Sequence, residues 1–195
     1  MTVLDDRIEM AEISGEPTLD TMFEWLEKMP VPEGFKVEIV GGNIFMSPQR
    51  RTRWRIIFNI LRQLCAQYPE ERLLSDVRVD FPGHLNGFAA DVVALVESFE
   101  PDDKGRLRYQ DVEFVAEVIS KGTARNDYEP KKAAYAAAEV PVYLIVDPYT
   151  GRWRLHTQPK DGEYQGEVSF GFGDEVDLTG TSVDLVLKTD EFPRD

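Results

Sequence analysis

The stretch from Asp91 to Asp147 most constrains this chain, because it sets two isolated carboxylates inside runs that otherwise read as buried strand. In ADVVALV and VEFVAEVI, Asp91 and Glu117 sit among β-branched and aliphatic residues. A carboxylate buried without a partner is strongly destabilising, so each is expected to be hydrogen bonded, ion paired or metal bound. Period-two alternation groups Asp91 with Val93 and Leu95, and Glu117 with Val115 and Ile119. If the two strands are neighbours with these faces aligned, the acids converge. Two carboxylates ~4 Å apart repel by roughly 4 kcal/mol at an effective dielectric of ~20, so the pair needs a proton or a cation. Oxygen ligands with few histidines favour magnesium or manganese over zinc.

Between Glu117 and Asp147 the sequence SKGTARNDYEPKKAAYAAAEV reads as loop then helix. Proline suits a first turn, so Pro130 makes Asn126 or Asp127 the expected N-cap. Lys131 and Tyr135 then share one helix face. VPVYLIVD is apolar at nearly every position and reads as a strand buried on both faces, completing a strand–helix–strand unit with a right-handed crossover.

Upstream, residues 1–17 are expected to form a flexible leader and 18–195 a single domain. TLDTMFEWLEKMP predicts a short helix capped by Thr18, with Met22, Trp25, Leu26 and Met29 as its apolar stripe and Pro30 as its stop. FKVEIVGGNIFMSP predicts a hairpin turning at Gly41 and Gly42, with Glu38 as a third acid in an apolar strand or a surface acid on a wet face. A helix is expected from about Thr52 to Tyr68, with Cys65 bordering its apolar face as a core residue. Arg50, Arg51, Arg53 and Arg55 crowd its start. Cations there oppose the helix dipole, so helix stability does not explain them; they face either a phosphate or a partner's carboxylates and solvent.

RLLSDVRVDF and FAADVVALV read as two strands around a turn. The remainder, RWRLHT, EYQGEVSF and EVDLTG, reads as short antiparallel strands, with Arg152, Arg154 and His156 on a solvated edge face. His84 and His156 are remote from each other, which leaves little basis for a zinc site or a Ser-His-Asp triad.

Charge enters as an objection. With 22 Lys and Arg against 36 Asp and Glu, the net charge of −14 opposes generic nucleic-acid binding, and the arginine cluster is the local exception. No apolar run approaches the ~20 residues that span a bilayer, and the acidic N-terminus has no secretory core, so a cytoplasmic protein is expected.

Taken together, EIVGGNIFMSP, ADVV, VAEVIS and NDYEPKKAAYAAAEVPVYLIVD resemble, in order and spacing from about Phe35 to Asp147, the Uma-two family of restriction-endonuclease-like proteins, a branch of the PD-(D/E)XK nuclease superfamily. The resemblance implies an α/β fold: a restriction-endonuclease-like mixed β-sheet flanked by helices, here with a C-terminal antiparallel β extension. It further implies a metal-dependent endonuclease acting on nucleic acid, DNA before RNA. Asp91 and Glu117 match the first and second acids, and Glu38 the additional N-terminal glutamate. The superfamily lysine two residues after the second acid is replaced by Ile119, and Lys131 matches the position to which this branch moves it. Asp91, Glu117 and the Val118 carbonyl would hold Mg2+ or Mn2+, Lys131 would orient the attacking water, and Arg50, Arg51, Arg53 and Arg55 would contact nucleic acid. A homodimer follows by analogy, since cutting two strands calls for two sites. The alternative is a catalytically inactive nuclease fold that serves as a DNA-binding or protein-interaction module.

Overall fold

The computed structural model describes residues 17–195, so the leader expected over residues 1–17 lies, up to residue 16, outside the described residues. Helix α1 (Leu19–Lys28) starts where the Thr18 hydroxyl accepts the Thr21 N–H at 3.2 Å. Strands β1 (Phe35–Val40) and β2 (Asn43–Pro48) form the expected hairpin, and Gly41 and Gly42 take φ of +57° and +75° at its tip. Helix α2 (Arg51–Leu64) ends short of the expected Tyr68. Cys65, expected in the core, is its exposed C-cap, because it continues the Leu61 flank rather than the buried Ile57, Ile60 and Leu64 stripe.

The next strands are β3 (Leu73–Leu74), β4 (Arg78–Phe81), β5 (Asn86–Ala89), β6 (Val92–Leu95), β7 (Leu107–Arg108) and β8 (Val112–Val118). The run FAADVVALV is thus two strands that break at Ala90 and Asp91. β5 joins a five-stranded sheet in the order β2-β1-β5-β4-β7, while β6 crosses into a second sheet. Asp91 occupies the crossing point.

A helical segment then leads to β9 (Val142–Asp147), which pairs parallel to β8. It starts at α3 (Ala124–Asn126), earlier than either expected cap, passes through a π-turn at Asp127–Lys131 and ends as α4 (Lys132–Ala137). The π-turn accommodates Pro130, whose ring and missing N–H would break an α-helical interior. β10 (Arg152–Lys160) and β11 (Glu163–Gly171) complete the second sheet, ordered β11-β10-β9-β8-β6-β3. β11 therefore forms the edge, not β10. His156 is buried, with its ring 5.7 Å from those of both Tyr143 and Tyr164, whereas Arg152 and Arg154 stay exposed as expected. β12 (Val176–Asp177) and β13 (Val186–Leu187) form the small C-terminal antiparallel sheet.

Three apolar clusters stack these elements. α1 covers one face of the first sheet through Met22 and Leu26, packed against Ile39 of β1. α2 covers one face of the second through Ile56, Ile57, Ile60 and Leu64 against Val92, Phe114, Ala116 and Val142. Between the two sheets, Val40, Phe81 and Phe88 meet Val93, Val115, Tyr143 and the helix residues Ala134 and Tyr135. The candidate site lies at that inner layer. No helix among the described residues is long and apolar enough to cross a membrane.

Candidate active site

β6 and β8 are antiparallel neighbours, with Val92 opposite Ala116 and Val93 opposite Val115. That register continues to bring Asp91 beside Glu117 on the face shared with Val93 and Val115, as alternation predicts. Both acids are fully withdrawn from solvent, at 0% and 1% exposure. Glu38 reaches the same point from β1, and its side chain is 12% exposed rather than on a wet face. Lys131 arrives from the π-turn at 1% exposure. Four residues spread over 94 positions of sequence thus meet in one layer, where each charge requires a counter-charge.

Counter-charge comes from three cations. The Lys131 ammonium lies 2.5 Å from Glu117 Oε1, 3.0 Å from Glu38 Oε1 and 3.1 Å from Asp127 Oδ1. Arg53 grips Asp91 in fork geometry, with its Nε donating to Oδ2 at 3.1 Å and its Nη2 to Oδ1, while Nη1 donates to the Ser47 and Ser120 hydroxyls at 3.1 and 3.2 Å. Lys36 occupies the middle. Its Nζ is 2.9 Å from Asp91 Oδ1, 3.5 Å from both Glu38 Oε2 and Glu117 Oε2, and 3.9 Å from Asp76 Oδ1. Neutral donors complete the set: Val118 N–H to Asp91 Oδ2 at 2.7 Å, Ala89 N–H to Glu38 Oε1 at 3.0 Å, and the Tyr135 hydroxyl to Glu117 Oε1 at 2.8 Å.

These contacts set the protonation states. Burial pushes the Asp91 carboxyl up, but Lys36, Arg53 and the Val118 N–H outweigh it and hold the group down at about 2. Burial opposes the charge on Lys131 too, yet Glu117, Glu38 and Asp127 keep its pKa well above the usual lysine range, so it is an ammonium donor and not a base. Asp127 goes the other way. Burial, with Glu117 and Glu38 nearby, pushes it up to about 7 against the pull of Lys131.

The expected arginine cluster divides. Arg50, Arg51 and Arg55 are exposed, while Arg53 turns inward at 5% exposure. Helical spacing carried that signal, since Arg53 precedes Ile57, Ile60 and Leu64 at i+4, i+7 and i+11 on the apolar face. Lys36 was also legible in principle, because alternation in β1 sets it on the same face as Glu38 and Val40. Arg50 and Lys121 line a cleft of about 50 Å3 together with Ser47, Ser120 and Tyr149, beside the serines that Arg53 holds. Beyond Arg51 and Arg55, the outer face of α2 carries Trp54 and Phe58, more than half exposed, with ring centroids 6.1 Å apart.

The donor set suits a hard divalent ion in kind, since its oxygens come from carboxylates and Glu38, Asp91 and Glu117 all reach a single cationic point. That point is occupied by the Lys36 ammonium, and no group of three or more His, Cys, Asp or Glu among the described residues is arranged so that it could hold a metal ion.

A family model described as "Putative restriction endonuclease", Uma2, matches residues 23–189. Among solved structures, a crystal structure from Anabaena variabilis ATCC 29413, described as "a putative nuclease belonging to DUF820", is similar to 91% of this chain and 97% of that one, with a TM-score of 0.68 and 14% sequence identity. That likeness is one of fold. No curated protein matches the chain.

Proposed function

This chain belongs to the Uma2 family of restriction-endonuclease-like proteins, and from that premise we propose that it is a divalent-metal-dependent endonuclease hydrolysing phosphodiester bonds, with DNA as its substrate. The observation that carries the reading is the convergence of Glu38, Asp91 and Glu117 around one cationic point, with Lys131 fixed beside them. Asp91, Glu117, the Val118 carbonyl and Glu38 would hold Mg2+ or Mn2+. When bound, the ion lowers the pKa of a coordinated water and neutralises charge that develops on the phosphoryl oxygens.

The chain's own residues do the positioning. Lys131, whose three donors are engaged by Glu117, Glu38 and Asp127, would orient the attacking oxygen by turning one of them away from a carboxylate partner. Arg53 fixes the Asp91 carboxylate plane, and Tyr135 fixes that of Glu117. Arg50 and Lys121 at the small cleft, with Arg51 and Arg55 on the adjoining face of α2, supply the phosphate contacts that the acidic molecule otherwise lacks. Trp54 and Phe58 add stacking surface on that face.

The test is nicking of supercoiled plasmid by the purified chain in Mg2+ or Mn2+ against a chelator control. Asp91→Asn and Glu117→Gln are each expected to remove detectable cleavage, and Lys131→Met to leave a residual rate lower by about 10²- to 10⁴-fold. Undiminished cleavage by both folded acid variants removes the reading. The second reading, nucleic-acid binding without chemistry, draws on the pairing of every acid in the network with a buried cation. It is favoured if the wild type retains DNA but never cuts it.

A further inference from the structure

One buried charge is not used by the proposed chemistry. Lys36 Nζ contacts four carboxylates within 4 Å, and it takes the second oxygen of each glutamate whose first oxygen binds Lys131. It is the only cation among the described residues that touches Glu38, Asp91 and Glu117 together. Magnesium needs its oxygens at about 2.0–2.1 Å in near-octahedral array. An ammonium at 2.9–3.5 Å from those same oxygens fills the space and repels a dication at close range.

We propose that Lys36 is a tethered occupant of the cation position, and that a divalent ion enters the site only by exchanging with its ammonium. The proposal rests on the metal-dependent reading above. Lys36, and not Lys131, is the cation that can leave, because the two lysines differ in their outermost partners. Lys131 is enclosed by Glu117, Glu38 and Asp127, all at 12% side-chain exposure or less, with the Phe88 ring centroid 5.5 Å away. Lys36 already touches Asp76, whose side chain is 38% exposed and is held at the surface by Gln49 at 2.8 Å. Asp76 is the waiting partner on the way out. Metal loading then costs the exchange of one ammonium, which makes the resting site self-neutralised and selective against monovalent ions. A lone proton on an acid would not achieve this, since it satisfies one carboxylate while Lys36 satisfies three.

The experiment follows Mn2+ binding by loss of the free-ion electron paramagnetic resonance signal, in the wild type, Lys36→Met and Lys36→Gln. Both variants are expected to bind Mn2+ at least roughly 10-fold more tightly than the wild type. They are also expected to melt lower than the wild type in chelator and to gain more stability than it does at the same Mn2+ concentration, because they bind the ion more tightly. Amine labelling of the unaltered chain, read residue by residue by mass spectrometry, gives a second measurement that does not depend on the variants folding. There, saturating Mn2+ is expected to raise modification of Lys36 by roughly 10-fold and leave Lys131 protected. The proposal falls if the wild type binds Mn2+ while Lys36 stays protected, or if the folded variants bind no more tightly than the wild type. If none of the three folded proteins binds Mn2+, the metal-dependent reading falls as well, which separates the two failures.

Discussion

Arg53 shows what one side chain contributes here that its nearest substitute cannot. Its fork makes two bonds to Asp91 and two to serine hydroxyls, a geometry that a point-like ammonium cannot reproduce. Arg53→Lys is therefore expected to cost about 2–3 kcal/mol, read as a lowered urea midpoint at unchanged slope, since it loses charge-assisted bonds while keeping the charge. A variant as stable as the wild type would show that Asp91 needs only a cation at position 53 and not the guanidinium fork. Asp127 makes a prediction of opposite character. Its carboxyl, raised by burial to about 7, keeps in the native state a proton that the unfolded chain releases near the ordinary aspartate value of 3.8. The native state binds more protons across that window, so this residue's contribution lowers stability as pH climbs from about 4 to about 7 and changes little above it. Asp127→Asn removes that slope. The difference in unfolding free energy between wild type and variant should shift in favour of the variant between about pH 4 and pH 7; a constant difference sinks the assignment. Both acids singled out by alternation, Asp91 and Glu117, were legible because an acid in an apolar strand is conspicuous. Lys36 was legible only through its place on the Glu38 face of β1, because its other three partners, Asp76, Asp91 and Glu117, come from later stretches of chain.

At the scale of elements, the site depends on two sheets being held face to face, and the first sheet is held from behind by α1. Gly87 in β5 is where they touch. A Cβ built there would meet the Phe23 ring, with the ring tip at 2.9 Å, so the helix can lie this close only over a glycine. Gly87→Val is expected to push α1 outward, cost about 1–3 kcal/mol as overpacking and open the α1 segment to proteolysis before the rest of the domain. Equal digestion rates for variant and wild type would mean that Phe23 swings aside and α1 stays docked. The hairpin at Gly41 and Gly42, the strand–helix–strand unit and the apolar β9 could all be read from local pattern, because each is specified by residues adjacent in sequence. The break between β5 and β6 could not. FAADVVALV is apolar at every position but Asp91, and a strand that leaves one sheet for another needs no Gly or Pro at the crossing, only a change of hydrogen-bonding partners. The early start of α3 was hidden for a related reason: Pro130 reads as a first-turn residue unless the wider π-turn around it is known.

The whole molecule sets the terms on which any nucleic acid can approach. A net charge of −14 repels phosphate at long range, while Arg50, Arg51 and Arg55 attract it on contact. The two effects have different reach. Repulsion by the distributed acids operates over tens of ångströms and is screened early, since the Debye length falls from about 30 Å at 0.01 M salt to about 10 Å at 0.1 M. Counterion release from a few phosphate contacts weakens continuously with log salt, with a slope of about −0.9 per contact on duplex DNA, or roughly −3 for three arginines. Affinity for a labelled duplex, measured by anisotropy in the absence of divalent ions, is therefore expected to rise from the lowest salt, pass through a maximum and then fall. In Arg51→Ala combined with Arg55→Ala, the falling limb should lose about two contacts' worth of slope while the rising limb remains, because that limb belongs to the molecule's acids and not to the patch. A steep, monotonic fall from the lowest salt upward would mean that the local arginines dominate at every distance, and that the acidic surface lies turned away from the bound duplex.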